Sequence, residues 1–274
     1  MKAELRPLLE YGLHESVDLL NLGFSDYFIH VELSLPVFLN MVRVDSIDLG
    51  SSRVIYLNDE AAGAALIARR GWTSRLAAMC MAPAWRGRGS GGAAMDLLLS
   101  EASVRRDHSM VLEVIESNAP AVRLYERCGF KTERRLVGYE GGSAEMQDSV
   151  GLQEEDIREV ARLVAMYGLE NLPWQISAES LAQASAPGLA YRQDDAYIVI
   201  SNPEAEQIAI RSVIVRPESR RQGQATRLVN AVLAKYPNRK WLVSALCPEE
   251  IGGLFEKMGC RRGDLSQLQM RIEI

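Results

Sequence analysis

The stretch RGRGSGG, Arg86-Gly87-Arg88-Gly89-Ser90-Gly91-Gly92, follows an apolar run and precedes a helical pattern. A glycine-rich turn opening into a helix is suited to hold phosphate, because free backbone N–H groups and the helix dipole both face the anion. Two readings compete. Gly87-x-Gly89-x-x-Gly92 satisfies the dinucleotide fingerprint, whereas Arg86-x-x-Gly89-x-Gly91 satisfies a pyrophosphate loop of another kind. The rest of the chain decides between them, because the arrangement occurs twice.

The first copy reads MCMAPAWRGRGSG, then a helix, then VLEVIESNAPAVRLYERCGF. The second reads SVIVRPESRRQGQA, a helix, and WLVSALCPEEIGGLFEKMGC. The loops are offset by 134 residues and the later blocks by 130. The second loop has one glycine where the first has four, so the shared element is Arg-x-x-Gly-x-Gly/Ala and not G-x-G-x-x-G. The dinucleotide motif also places its glycines directly after the strand, and here Pro83, Ala84, Trp85 and Arg86 intervene. Glu116, near where a ribose-binding acid would sit, is the one point on the dinucleotide side.

On these motifs both halves resemble the GNAT superfamily of N-acetyltransferases. The resemblance covers residues 73–131 well and 208–261 moderately, and FSDYF, residues 24–28, is also similar to acetyltransferase sequences of this superfamily. It implies an α+β (mixed α/β) fold of two tandem domains, each a mostly antiparallel, centrally splayed sheet flanked by helices. The expected division is 1–141 for an active N-terminal domain and 149–274 for a degenerate C-terminal one, with the polar segment 142–148 as linker. The first half leaves little room for its own last strand, so strands are expected to cross the domain boundary.

The resemblance implies acetyl-CoA as co-substrate. Arg86, Gly87, Arg88, Gly89, Ser90 and Gly91 would cradle its pyrophosphate, the glycines allowing close backbone approach and the arginines adding charge. Its pantetheine arm would lie beside the strand ending at Met79, Cys80 and Met81, bonding the backbone like an added strand. Cys80 has no nearby His in sequence and reads as a small apolar core residue. Asn118 would cap the following helix and contact the cofactor. Tyr125 is the candidate catalytic acid, since a phenol with a pKa of about 10 suits a departing thiolate. Glu113 and Glu116 are not placed well enough to name a base, and an ordered water would serve. The second copy has Phe255 for Tyr125, Pro248 for Asn118, Val243 for Glu113 and Leu246 for Glu116. A phenylalanine has no proton to donate, so that copy is expected to be weak or silent.

Periodicity predicts strands at 3–9, 53–57, 61–69, 74–82, 110–115 and 131–139, and helices at 14–24, 35–47, 89–105 and 118–127. The second half is predicted as helices at 152–167, 178–184 and 223–235, with strands at 197–201, 207–215, 241–246 and 267–274. Composition is that of a globular protein: 47% hydrophobic, 24% charged, net charge -5. That charge gives no support to a nucleic-acid partner. No apolar run suits a membrane span and no signal peptide is read. Four unpatterned cysteines suggest a reduced cytosol, and three histidines leave little for a metal site, so none is expected. The expected partner is a small-molecule or peptide amine, and an oligomer is compatible. The alternative is a non-catalytic acyl-CoA-binding or regulatory module.

Overall fold

The computed structural model describes residues 3–141 and 151–274. The expected linker at 142–148 lies outside the described residues. The chain forms two compact units, one of residues 1–133 with 268–274, the other of residues 134–267. The boundaries of these units fall inside two strands, for a reason seen in the cores below.

The first unit begins with β1 (Ala3–Pro7), α1 (Leu13–Gly23) and α2 (Leu35–Val44). Leu20 and Phe38 are fully buried from these helices. The Ser34 hydroxyl caps α2 by accepting from Val37 N, with Pro36 in the first turn, where a missing N–H costs little. Strands β2 (Arg53–Leu57), β3 (Glu60–Arg70) and β4 (Thr73–Met81) form an antiparallel meander. Helix α3 (Ser90–Val104), β5 (Ser109–Ile115) and α4 (Ala119–Arg127) follow. Strand order is β1-β2-β3-β4-β5 and then the end of the chain's last strand. Met110 and Leu112 of β5 and Met95 and Leu98 of α3 form the core.

The second unit opens with β6 (Lys131–Glu140), most of which belongs to it. β7 (Gln153–Glu155), α5 (Ile157–Tyr167), α6 (Ala178–Ala182), β8 (Leu189–Gln193), β9 (Ala196–Ile200) and β10 (Gln207–Val215) come next. α7 (Gln224–Lys235), β11 (Lys240–Pro248), α8 (Gly253–Lys257) and β12 (Arg261–Glu273) complete the chain. The helix predicted from 152 starts only at Ile157. Asp156 caps it by accepting from Arg158 N at 2.9 Å, and the preceding residues pair with β8 instead. β8 itself escaped the sequence reading. It is a five-residue edge-side strand turned by Asp194 at φ 53°.

The last strands are exchanged. β6, from the first sequence copy, pairs antiparallel with β11, as in Val243↔Tyr139, and its Val137 and Tyr139 pack with Ile198, Val229 and Trp241. The end of β12, from the second copy, places Leu268, Met270 and Ile272 against Met110 and Leu112. Each core is thus closed by a strand from the other half of the sequence. Met270 is 0% exposed. Met270→Ala is expected to cost about 2–5 kcal/mol, and to do so in the N-terminal unit although the residue lies four positions from the last. Hydrogen exchange resolved by unit checks this, with faster exchange expected in α3 and β5.

Candidate functional site

In the first unit β4 and β5 pair in parallel only over Thr73↔Ser109, Ser74↔Met110 and Arg75↔Val111. Beyond that they part. β4 is turned by a bulge at Ala77, left over between Leu66↔Ala78 and Ile67↔Leu76. Met79, Cys80 and Met81 line its free edge while their other side pairs with β3. Cys80 is buried, and desolvation pushes its thiol up to about 11. A thiol so placed is no nucleophile at neutral pH. α1 presses on it so closely that a Cβ on Gly23 would lie 2.3 Å from Cys80 Sγ.

The loop leaving β4 takes two left-handed glycines, Gly87 at φ 71° and Gly89 at φ 78°, the latter as the N-cap of α3. Among the described residues, none of the amides of residues 87–91 donates to an acceptor in the chain. They form a set of unpaired donors at a helix N-terminus, the arrangement that fits a pyrophosphate. The Ser90 hydroxyl donates to Trp85 O at 3.0 Å, which fixes the turn. Arg88 is exposed, with its guanidinium 5.6 Å from the Trp85 ring.

The Arg86 side chain is bonded within the chain. Its guanidinium is committed elsewhere: Nε donates to Met81 O at 2.9 Å, Nη1 to both Asp26 oxygens and Nη2 to Gly23 O at 2.8 Å. Its backbone N–H is also used, donating to Pro83 O. The charge expected at the phosphate is therefore balanced by Asp26. Arg220 does the same in the second unit, donating to Val215 O at 3.0 Å and Tyr167 O at 2.6 Å. The repeated arginine ties the end of the loop-bearing strand to the end of the unit's first long helix.

Asn118 caps α4 by accepting from Ala121 N at 3.3 Å. Tyr125 is buried in the α3–β5 core, with its ring 5.8 Å from Phe130 edge-on. Burial raises its phenol above the usual value, so it holds its proton at neutral pH. Tyr27 was missed by the sequence reading. Burial raises its phenol too, the Asn118 side chain opposes that shift by hydrogen bonding, and Tyr27 in turn acts on Tyr125. The aromatic run FSDYF was the available signal. Leu124, beside Tyr125, reaches the loop: its Cδ2 is 3.4 Å from where a Gly91 side chain would begin. Leu124 and Met79 thus bring α4 and the end of β4 against the start of α3.

Glu113 is removed from the candidates for a base. It forms a buried ion pair with Arg75 at 2.8 Å, with side chains 2% and 5% exposed. Glu116 is half-buried at the end of β5. Among the described residues no group of three His, Cys, Asp or Glu side chains is placed to hold a metal, and no helix is long and apolar enough to cross a membrane.

The second unit repeats the backbone. β10 and β11 pair only over Gln207↔Lys240, Ile208↔Trp241 and Ala209↔Leu242, with a bulge at Arg211, which is Ala77 shifted by the loop offset of 134. Arg221 at φ 63° and Gly223 at φ 75° reproduce the loop. Here the parted strands enclose a cavity of about 820 Å³ that reaches from Tyr167, Leu172 and Ile176 to Phe255 and the loop at Gly223.

With this geometry in place, the chain belongs to the acetyltransferase (GNAT) family, whose model matches residues 22–130 and again 179–259. The family is one of acyl-CoA-dependent N-acyltransferases, and this chain carries its fold twice. No curated protein matches. Among solved structures it is similar to a tandem GNAT protein from the clavulanic acid biosynthesis pathway, at TM-score 0.66 and 15% identity, covering 99% of this chain and 98% of that one. It is also similar to a GCN5-related N-acetyltransferase from Sphaerobacter thermophilus, at TM-score 0.67 and 16% identity, covering 99% and 95%. A third, from Kribbella flavida, has TM-score 0.65 and 17% identity, covering 99% and 72%. At these identities the likeness is one of fold.

The second copy has Ala209 and Val243 where the first has Arg75 and Glu113. Removing one member of a buried pair strands the other, at about 3–5 kcal/mol. Glu113→Val is therefore expected to destabilise strongly, and Arg75→Ala/Glu113→Val to be milder than Glu113→Val alone, as read by urea denaturation.

Proposed function

We propose that the N-terminal unit transfers an acetyl group from acetyl-CoA directly to a primary amine on a small molecule or peptide. The observation that supports this reading is the set of unpaired amides at 87–91 where α3 starts, against which Leu124, the chain neighbour of Tyr125, packs at Gly91. Fit is favourable on the chain's own terms, because the positions of Cβ atoms on Gly87 and Gly89 meet nothing within 4 Å and backbone can approach a diphosphate closely.

Acetyl-CoA supplies an activated carbonyl and a thiolate leaving group. The residues of this chain do the rest. Loop amides 87–91 hold the diphosphate, and the free edge of Met79–Met81 aligns the pantetheine amides. Backbone N–H groups of the same edge face the carbonyl oxygen as it gains charge. The amine nitrogen forms the new C–N bond while the C–S bond breaks. Tyr125 gives its proton to the departing sulfur, and the amine proton leaves to water. A general acid must hold its proton until the thiolate forms, and the Tyr125 phenol does so at neutral pH.

A second reading has its own observation. The cavity of the C-terminal unit is bounded by the same loop but by Phe255 in place of the phenol. It suits binding of acyl-CoA without transfer.

Tyr125→Phe is expected to lower kcat by about 10²–10⁴ with little change in KM for acetyl-CoA. Steady-state kinetics on an amine panel check this, and a variant within about threefold of wild type removes Tyr125 from the mechanism. Gly89→Val is strained at φ 78° and is expected to weaken acetyl-CoA binding in calorimetry. Should Tyr125→Phe retain full activity and Gly223→Val abolish it, the active unit would be the C-terminal one.

A further inference from the structure

We propose that the cavity of the C-terminal unit is an acyl pocket, built for a CoA thioester that carries a medium-length aliphatic chain and holds it without transfer. The inference rests on the second reading above, that this unit binds acyl-CoA, and goes beyond it by naming the acyl group.

The head of such a ligand has a place. Among the described residues, none of the amides of residues 221–226 donates to an acceptor in the chain. The second loop thus offers unpaired donors as the first does, with the exposed Arg221 among them. From this loop the strand β10 runs back from Val215 to Ile210, the first residue beyond the last pair with β11. Five residues of strand span roughly 16 Å. A thioester anchored by its diphosphate at the loop and laid along that free edge brings its acyl end to the point where the strands part.

That point differs between the copies. In the first unit Arg75, the last residue of β4 paired with β5, reaches Glu113 at 2.8 Å, and the buried ion pair fills the place where the strands separate. In the second unit Ala209 is the last paired residue and ends in a methyl group, while Val243 and Ser244 line the cavity. The wall continues through Val164 of α5, Leu172 and Ile176 of the segment after it, and Phe255 of α8. That segment is held without a ligand. The arginine strut Arg220 donates to Tyr167 O at 2.6 Å, and Arg134 donates to Glu170 O at 3.1 Å. A wall fixed in advance spares the ligand the cost of ordering it. Of the charged residues of the lining, Glu250 pairs with Arg134 at 3.1 Å, Arg211 is engaged within the chain, and Arg221 and Lys257 are exposed. Aliphatic side chains therefore meet the acyl end, and each methylene moved onto them from water tightens binding about fourfold.

The test is calorimetry on the full chain with CoA, acetyl-CoA, octanoyl-CoA, succinyl-CoA and free octanoate, in a Gly89→Val background that weakens the N-terminal loop. One octanoyl-CoA per chain should bind about thirtyfold tighter than acetyl-CoA, or more. Ile176→Trp fills the cavity and should bring octanoyl-CoA to within about threefold of acetyl-CoA, with acetyl-CoA itself moved by less than about threefold. Leu246→Glu gives the same readout should Ile176→Trp fail to fold. Without Gly89→Val, the pattern appears as an octanoyl-selective site of the wild-type chain that Ile176→Trp removes. Equal affinity for CoA, acetyl-CoA and octanoyl-CoA overturns the proposal and leaves the second reading standing. No binding of any CoA ester in a folded Gly89→Val chain overturns both. Succinyl-CoA bound tighter than octanoyl-CoA overturns it in favour of an acidic acyl group read by Arg211. Octanoate bound as tightly as octanoyl-CoA overturns it by leaving the loop without a part.

Discussion

Two parallel strands that pair over three residues and then separate are the constraint on which each unit depends. Separation inside a protein exposes backbone N–H and C=O groups that must find partners. In both units the chain responds with the same devices. A bulge at Ala77 or Arg211 turns the strand, and an arginine five residues past the strand end, Arg86 or Arg220, returns to bond its last carbonyl. The remaining edge is left as a row of donors and acceptors, and the helix behind it starts on amides with no partner. A ligand carrying amides and a diphosphate matches both. The site is thus a consequence of unfinished backbone pairing, and side chains refine it.

The two copies share a backbone and differ in the side chains set on it. The left-handed loop residues, the bulge and the strut are retained in both. The phenol of Tyr125, the amide of Asn118 and the buried Arg75–Glu113 pair occur only in the first. A buried ion pair is poor evidence for stability, since apolar residues of similar size do as well. Ala209 and Val243 illustrate that at the equivalent place. The first copy has the phenol of Tyr125, while the second has Phe255 lining a cavity whose wall mixes apolar residues with Arg211, Arg221, Glu250 and Lys257.

Exchange of the last strands ties the two sequence halves into one folding problem. β6 follows the first copy's Gly129 but packs its Val137 and Tyr139 in the second unit's core, and the chain's end returns Met270 to the first. Neither unit has a complete core from contiguous sequence, because each sheet lacks a strand beyond its parallel pair until the other half provides it.

The sequence by itself determined the repeat, the loop that opens a helix, most element positions and the loss of Tyr125 and Asn118 in the second copy. These are local or periodic properties: glycines at left-handed positions, apolar spacing, a caps-and-turns grammar, and side chains that do or do not carry a proton. It also suggested that strands cross the boundary, from a shortage of residues between Tyr139 and Gly141. Only the tertiary structure decided the partners. Nothing in RGRGSGG distinguishes a guanidinium that faces phosphate from one turned onto Asp26, 60 residues away. Glu113 and Glu116 stand level in the sequence until Arg75 is found against Glu113 at 2.8 Å. Long-range pairing depends on which faces the cores bring together, and burial, not sequence spacing, sets whether a charged side chain acts on a ligand or on its own fold.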